Sequence, residues 1–384
     1  MKFIPYGRQN LDQNDLAAID GVLQSAYLTT GPIVKQFEEE LCNYFGCKEA
    51  IVVSSGTAAL HLAAQTLISP GKKVLTTPNS FVATSNSILY RGAVPVFVDI
   101  DSCGNLDLDK CEELLSKDSQ IEALFGVNFT GLPLCRDKLK RLKTNYGIKI
   151  LEDGCHSPGA PEVGDGKIAD FTILSFHPVK HITTGEGGAI LTNDTDLAAK
   201  IRCLRSGGIT HDSTEFSSDW SCDANGDPHP WAYEMHYLGY NYRLTDFQCA
   251  LGISQLKKLP KFIASRQEIA HKYDQEFANY ETFRPLYSYT ERSVYHLYVL
   301  QADFSKLKID RTSFFKKMRE LGIGLQLHYI PIPYQPFYQK LNLEKHPLAM
   351  MDRYFEQSFS IPIFPTMTSE DQQRVISALI NTLV

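Results

Sequence analysis

The chain has 384 residues and a formal net charge of −6. A chain of this length can bury a large core and typically folds into two domains. The slight acidic excess argues against nucleic acid or an anionic membrane as the main partner. The sequence contains no apolar run typical of a signal peptide or a membrane span.

Nine cysteines are scattered along the chain. None forms a Cys-x-x-Cys pair and no cysteine–histidine spacing is typical of zinc, so no metal site is predicted. Cysteines of this kind indicate reduced thiols and a cytoplasmic protein. Cys155 and His156 are adjacent and could act as a thiol and its base, but neighbouring side chains at a strand end point apart.

The N-terminal segment is predicted to be helical. Apolar residues at helical spacing indicate a helix over 11–24, with Asn10 as its N-cap, and a second helix over about 33–45. A loop over Tyr27–Pro32 joins them.

A strand, a short polar turn and a helix follow. The strand is Ile51–Val53, the turn is Ser54–Thr57, and the helix begins at Ala58. Such a turn presents free backbone N–H groups and the positive end of a helix dipole, as an anion site does. An ordinary capping turn would look similar, but Gly56 between hydroxyl residues favours phosphate. The patterns of dinucleotide and nucleoside-triphosphate loops are absent from the sequence.

Strands and helices continue to alternate as far as residue 192. Further strands are predicted at Lys73–Thr77, Val94–Val98, Glu122–Val127, Ile148–Asp153, Phe171–Phe176 and Ala189–Thr192. Helices are predicted between the first four of these strands, at 80–91, 107–116 and 136–145. This alternation indicates a mostly parallel sheet with helices on both faces, which places ligands at the carboxyl ends of the strands.

Three side chains at predicted strand ends are candidates for chemistry. Phe81 follows one strand, although a phenylalanine is more often in a core. Asp153 ends another, and a buried carboxylate needs a partner, which could be purely structural. Lys180 follows a third strand and precedes the glycine run 185–188, where the backbone can fold closely around a ligand. Most lysines are only solvated, but one so placed can lose its proton and attack an aldehyde.

The rest of the chain is predicted to link and complete two domains. A long polar stretch at 205–235 indicates a functional or disordered loop. A helical run over 245–280, broken near Pro260, leads to a strand at Tyr295–Leu300 and one at Gly324–His328. Helices are predicted at Arg311–Leu321 and from Ser369, the latter with Thr368 as N-cap and Asp371 completing a capping box. We therefore predict a large domain over 1–254 and a smaller α/β domain over 255–384.

The strand-end features together match the needs of pyridoxal phosphate. The turn Ser55–Thr57 can hold its phosphate and Phe81 can cover its ring. Asp153 can keep its pyridine nitrogen protonated, and Lys180 can bind its aldehyde. Each feature alone is weak, but their number and order make pyridoxal 5'-phosphate the predicted cofactor.

At this point the sequence resembles a known family, the pyridoxal-phosphate-dependent sugar aminotransferases that act on nucleotide-linked keto-sugars. The resemblance extends from Tyr6 to the final helix. It is carried by the motifs Ser54-Ser-Gly-Thr-Ala-Ala-Leu, Glu152-Asp-Gly-Cys-His, Ser175-Phe-His-Pro-Val-Lys with Thr184-Gly-Glu-Gly-Gly, and Gly239-Tyr-Asn-Tyr-Arg-Leu-Thr-Asp. It implies the type I (aspartate aminotransferase) α/β fold and a homodimer with shared active sites.

Within that family, Trp231-Ala-Tyr-Glu-Met, His328-Tyr-Ile-Pro and Gln335-Pro-Phe-Tyr resemble the branch that serves pseudaminic acid biosynthesis. This implies transfer of an amino group from L-glutamate to C4 of a UDP-linked 4-keto-6-deoxy-N-acetylhexosamine. Alternatives are another keto-sugar, of the perosamine or bacillosamine type, and a non-enzymatic sensor that binds the cofactor. A related dehydratase replaces the lysine with histidine, and Lys180 argues against it.

The resemblance also implies roles for individual residues. Lys180 would be the catalytic residue. The implied cofactor contacts are Gly56, Thr57, Phe81, Asp153, His156, Ser175, Lys180 and Asn241 of the partner subunit. The implied substrate contacts are Tyr6, Thr29, Thr30, Gly31, His328 and Tyr329. Many relatives have glutamine where this chain has His156, and an imidazole is expected to make the site sensitive to pH.

Overall fold

The computed structural model describes residues 2–384, and its largest element is a seven-stranded sheet. The strand order is β1-β7-β6-β5-β4-β2-β3, and β7 alone among them runs antiparallel to its neighbours. Its strands are β1 (Glu49–Val53), β2 (Lys73–Thr76), β3 (Val94–Phe97), β4 (Ile121–Val127), β5 (Lys149–Asp153), β6 (Phe171–Ser175) and β7 (Gly188–Thr192). The prediction of a mostly parallel sheet is confirmed.

Helices cover both faces of this sheet. Because side chains alternate along a strand, Ile51 and Val53 of β1 belong to one apolar cluster, whereas Ala50 and Val52 belong to another on the opposite face. The helices are α1 (Gln13–Leu23), α2 (Pro32–Phe45), α3 (Gly56–Leu67), α4 (Ala83–Tyr90), α5 (Leu108–Leu115), α6 (Arg136–Tyr146), α7 (Thr195–Arg205), α8 (Asp246–Leu256), α9 (Leu259–Phe277), α10 (Arg311–Glu320), α11 (Pro336–Gln339), α12 (Ala349–Gln357) and α13 (Ser369–Leu383).

A smaller antiparallel sheet lies in the C-terminal part of the chain. It has the order β10 (Phe283–Pro285), β11 (Tyr298–Ala302) and β12 (Ser358–Ile361). Side chains of α9, α10 and α13 bury one apolar cluster against it. This arrangement is a mixed α/β architecture with a second, smaller sheet. The proposed boundary between residues 254 and 255 stays a prediction.

Two local predictions are wrong. The N-cap of α1 is Asp12 rather than Asn10, because the Asp12 carboxylate accepts the backbone N–H groups of Asn14 and Asp15. Residues 324–328 do not form a strand, and only Gln326 makes an isolated bridge, to Ser360. The capping box of α13, by contrast, is present as predicted.

The polar stretch 205–235 is folded around one carboxylate. Short strands β8 (Ile209–Thr210) and β9 (Glu234–Met235) pair within it. The buried Glu234 accepts backbone N–H groups of Ser217 and Ser218, the hydroxyl of Ser221 and the ring of His236. These donors lower the pKa of Glu234.

None of the helices within residues 2–384 is long and apolar enough to cross a membrane. The cytoplasmic location stays a prediction.

Candidate active site

A cavity of about 550 Å³ opens at the carboxyl ends of β5 and β6, beside the first turn of α3. Residues 326–329 close its far side, where the backbone N–H of Tyr329 donates to Asn79 Oδ1 (3.3 Å). Ten of the predicted site residues line it: Tyr6, Gly56, Thr57, Phe81, Asp153, His156, Ser175, Lys180, His328 and Tyr329. The structure therefore brings most of the predicted site together.

The turn Ser55–Thr57 has the form expected of an anion site. Ser55 caps α3, and its hydroxyl accepts the backbone N–H of Ala58 at 3.0 Å. The N–H groups of Gly56 and Thr57 belong to the first turn of α3, where helical geometry supplies no carbonyl. A Cβ atom on Gly56 would lie 3.0 Å from the Cβ of Ser175, so a larger residue here would force Ser175 to move. A phosphate here would meet N–H groups, two hydroxyl side chains and the positive end of the helix dipole.

Two donors fix the carboxylate of Asp153. The hydroxyl of Thr84 donates to Oδ2 at 2.7 Å, and the backbone N–H of Cys155 donates to Oδ1 at 3.1 Å. An ionised carboxylate only accepts, so the Thr84 oxygen must in turn accept from Ser80, whose hydroxyl lies 2.9 Å away. All of these hydroxyls are buried. Ser80 and Thr84 were not predicted, although hydroxyl residues four apart just after a strand end were a readable signal.

Lys180 lies in the turn that follows β6 and is half-buried. Burial lowers the pKa of its amine, while the nearby Cys155 and Asp153 act against this shift. A lowered pKa increases the share of the neutral amine, which is the form that attacks carbonyl carbon. Lys180 takes part in none of the ion pairs found among residues 2–384.

His156 is a buried ring whose surroundings disfavour the charged form. Its Nε2 lies 3.1 Å from the hydroxyl of Tyr329, and its ring packs 4.3 Å from the ring of His296. Burial holds the pKa of His156 well below its usual range, and the positive charge of Lys180 adds to this. This direction argues against a change in the protonation of His156 near neutral pH.

The thiol–base alternative finds no support in the geometry. The sulfur of Cys155 approaches the carbonyl of Ile173 at 3.9 Å, whereas His156 is engaged with Tyr329. Burial raises the pKa of the Cys155 thiol well above its usual range, which disfavours a thiolate.

The ring of Phe81 remains available to a ligand. It lines the cavity yet is 60% exposed, which is unusual for a phenylalanine in a folded chain. A flat apolar face of this kind suits stacking against an aromatic cofactor.

Four predicted residues lie outside this cavity in the single chain. Thr29 pairs with Thr245, and the N–H of Gly31 donates to Asp246 Oδ2 at 2.8 Å. Asn241 is exposed and forms a bridge with Ser206. Thr30, beside Gly31, is also exposed.

Pyridoxal phosphate fits the groups that are present. Its phosphate would meet the first turn of α3, and Asp153 is a fixed acceptor for a ring N–H. Lys180 supplies an amine of lowered pKa in the same cavity. Fold and site together define a class, the pyridoxal-phosphate-dependent aminotransferases of the type I fold.

The chain belongs to the DegT/DnrJ/EryC1/StrS aminotransferase family, whose profile matches residues 9–380. It is 39% identical, over 384 residues, to the UDP-4-amino-4,6-dideoxy-N-acetyl-beta-L-altrosamine transaminase of Campylobacter jejuni subsp. jejuni serotype O:23/36 (strain 81-176). That match covers 99% of this chain and 97% of the relative.

Two solved structures are similar over the whole chain. Helicobacter pylori PseC, described as an aminotransferase involved in the biosynthesis of pseudoaminic acid, superposes with a TM-score of 0.89 at 31% identity, covering 100% of this chain and 99% of that one. The sugar aminotransferase Spr1654 from Streptococcus pneumoniae, in its PLP form, has a TM-score of 0.85 at 25% identity and full coverage of both chains. The protein is thus an aminotransferase whose cofactor is pyridoxal phosphate.

Proposed function

We propose that this protein transfers the amino group of L-glutamate to C4 of a UDP-linked 4-keto-6-deoxy-N-acetylhexosamine. The observation that carries this proposal is the 39% identity, over nearly both full lengths, to a transaminase named for a 4-amino-4,6-dideoxy UDP-sugar. The cavity supports it, because it is large enough for a sugar and contains Lys180 beside the fixed carboxylate of Asp153.

The cofactor's phosphate would be held by the N–H groups of Gly56 and Thr57 and by the hydroxyl of Ser175. Phe81 would cover the ring, and Asp153 would hold a proton at the ring nitrogen. When bound, pyridoxal phosphate supplies an electron sink and carries the amino group from donor to acceptor.

Lys180 would move protons at its Nζ between carbon and nitrogen during both half-reactions. Its lowered pKa favours this, because a larger share of the amine is neutral near pH 7, and so able to take a proton from carbon, than in an exposed lysine. His156, as a neutral imidazole, would bind the phenolic oxygen of the cofactor by a hydrogen bond.

The sugar would approach from the side of the cavity that Tyr6, His328 and Tyr329 line. Burial lowers the pKa of His328 to about 3, and its Nδ1 lies 2.9 Å from Ser360 Oγ. His328 would therefore offer the substrate a neutral, oriented ring rather than a charge. Residues 29–31, which lie outside the cavity of their own chain, would contact the nucleotide.

The protein would act as a homodimer in which each site is built from two chains. Asn241 is exposed and outside its own cavity, so it would serve the cofactor phosphate of the partner subunit's site.

The direct test is a substrate panel. The purified protein, loaded with pyridoxal phosphate, is incubated with L-glutamate and with UDP- and other nucleotide-linked keto-sugars, including those of the perosamine and bacillosamine types. When the UDP-linked 4-keto-6-deoxy-N-acetylhexosamine is the acceptor, we expect mass spectrometry to find the amino sugar and 2-oxoglutarate in equal amounts. Amination of another keto-sugar at a higher kcat/KM would reject the proposed substrate and keep the aminotransferase activity.

A further inference from the structure

A second cavity lies beyond the end of β3, between that edge of the large sheet and the C-terminal sheet. Its volume is about 530 Å³, close to that of the Lys180 cavity, and no residue lines both. Residues 100–103, α9, β10 with the residues after it, β11 and α12 form its walls. The cavity is large enough for a sugar phosphate or an amino acid.

Charged groups of both signs face this cavity. Asp101 and Asp274 line it together with Arg284 and Arg353. None of these four side chains takes part in any ion pair found among residues 2–384. The two carboxylates are half-buried and the two arginines are exposed at the rim.

The carboxylates are fixed by hydrogen bonds from neutral groups. Asp274 accepts the hydroxyl of Tyr298 and the backbone N–H of Tyr289, both at 2.7 Å. Asp101 accepts the N–H of Cys103 at 2.8 Å through Oδ1, and burial raises its pKa to about 6. The positive charge of Lys138 acts against this shift, but Lys138 forms its ion pair with Asp109 and not with Asp101.

We propose that this cavity is a second ligand site, which binds a small zwitterion that carries an ammonium group and a carboxylate or phosphate. The ammonium would pair with Asp101 and Asp274 inside the cavity, and the anion would pair with Arg284 and Arg353 at the rim. Amino acids and amino-sugar phosphates both have this chemistry. An anion without an ammonium would leave the inner carboxylates unpaired, and a cation alone would leave the arginines unpaired.

Packed aromatic rings connect the two cavities. Tyr354 lines the second cavity, and its hydroxyl donates to the carbonyl of His328, which lines the first. The ring of Tyr354 also packs edge-on against Phe129, 5.8 Å away, and Phe129 packs against Tyr329. A continuous set of packed side chains therefore runs from the wall of the second cavity to the substrate side of the first.

The test is calorimetric titration of the cofactor-loaded enzyme with matched ligands. Glucosamine 6-phosphate is compared with glucose 6-phosphate and with glucosamine, and α-methyl-L-glutamate is compared with glutarate. The absorbance of the cofactor separately reports any binding at Lys180. We expect saturable binding of a zwitterion at least about tenfold tighter than that of its relatives that carry charge of one sign only. Whichever zwitterion binds, the amino-sugar phosphate or the amino acid, identifies the ligand class.

Variants locate this binding. The double substitution Arg284→Gln and Arg353→Gln, and separately Asp101→Asn, should each weaken the zwitterion about tenfold or more and leave the absorbance response unchanged. Arg292→Gln, which removes an exposed arginine outside the cavity, is the matched control. The proposal is overturned if no zwitterion saturates, if glucose 6-phosphate and glutarate bind as tightly, or if the double variant keeps full affinity. Because the arginines are exposed, their replacement does not threaten folding.

Discussion

At the scale of single residues, burial sets the charge of the groups around Lys180. Burial lowers the pKa of His156 well below the usual histidine range and that of His328 to about 3. These two imidazoles are therefore neutral hydrogen-bonding groups. The carboxylate of Asp153 is the matching fixed acceptor, and its orientation depends on the hydroxyl of Thr84.

The hydroxyl of Thr84 gives a sharp prediction. Thr84→Val keeps the shape of the side chain but removes the donor to Asp153, and a hydrogen bond to a charged group is worth about 1.5–3 kcal/mol. We expect kcat/KM with L-glutamate to fall about 10- to 100-fold and the cofactor to bind more weakly, as measured by absorbance titration of the apo-protein.

Thr84→Ser should restore most of both quantities, because it returns the hydroxyl. Thr66→Val, which removes a hydroxyl that bonds only to carbonyls of its own helix, is the control. If Thr84→Val had the activity and cofactor affinity of the control, Thr84 would have no part in positioning Asp153.

At the scale of elements, the folding of the polar stretch 205–235 depends on Glu234. Replacing this carboxylate by an amide, Glu234→Gln, turns one acceptor into a donor that faces other donors, the N–H groups of Ser217 and Ser218. We expect limited proteolysis to cut within this segment several-fold faster than in the wild type. Glu215→Gln, an exposed position in the same segment, should be cut at the wild-type rate. Equal rates for all three proteins would mean that Glu234 does not hold the segment.

Regular elements were the most predictable part of the fold. The strand–turn–helix unit around Gly56 and the strand that ends at Asp153 could be predicted because apolar runs and N-terminal caps are local signals. Helix α7 was not predicted, although its N-cap, Asp194, accepts two backbone N–H groups as a readable cap would.

The wrong strand at Gly324–His328 has a tertiary cause. The N–H of Gly324 donates to the carbonyl of Ile4 in the N-terminal segment, and only Gln326 reaches the small sheet, through a single bridge to Ser360 of β12. The neutral state of His156 was missed for a similar reason. The ring of His296, which packs against it, is 140 residues further along the chain, and a single sequence does not reveal such a neighbour.

At the scale of the whole molecule, the buried histidines link stability to pH. Burial keeps the pKa values of His156, His181 and His296 well below 6.5, the usual value that applies in the unfolded chain. Below pH 6.5 the unfolded chain binds protons that the native protein does not bind. The stability is therefore complete above pH 6.5 and falls as the pH is lowered, by up to about 1.4 kcal/mol per pH unit for each histidine.

We predict that the stability of His296→Asn depends less on pH than that of the wild type. The substitution removes about one of the protons that the chain takes up when it unfolds below pH 6.5. The free energy of unfolding, measured in urea at several values between pH 5 and pH 7, should fall less steeply with acidification than in the wild type. His211→Asn, at an exposed position, should leave the slope unchanged. An unchanged slope in His296→Asn would show that His296 binds a proton in the native protein.

The proposed dimer gives the most demanding prediction. Lys180→Ala should remove the catalytic amine from a site, and Asn241→Asp should repel the cofactor phosphate of the neighbouring site, because it adds a negative charge. Each variant alone should form nearly inactive homodimers. In a mixed dimer, one site has both defects, and the other has Lys180 and Asn241 intact. Random exchange makes about half of the dimers mixed, so roughly a quarter of the wild-type activity should return after mixing.

Subunit exchange is followed with differently tagged chains. Exchange without recovery would place Asn241 in its own chain's site or away from the phosphate, and Asn241→Ala, which adds no charge, then separates these two outcomes by its affinity for the cofactor.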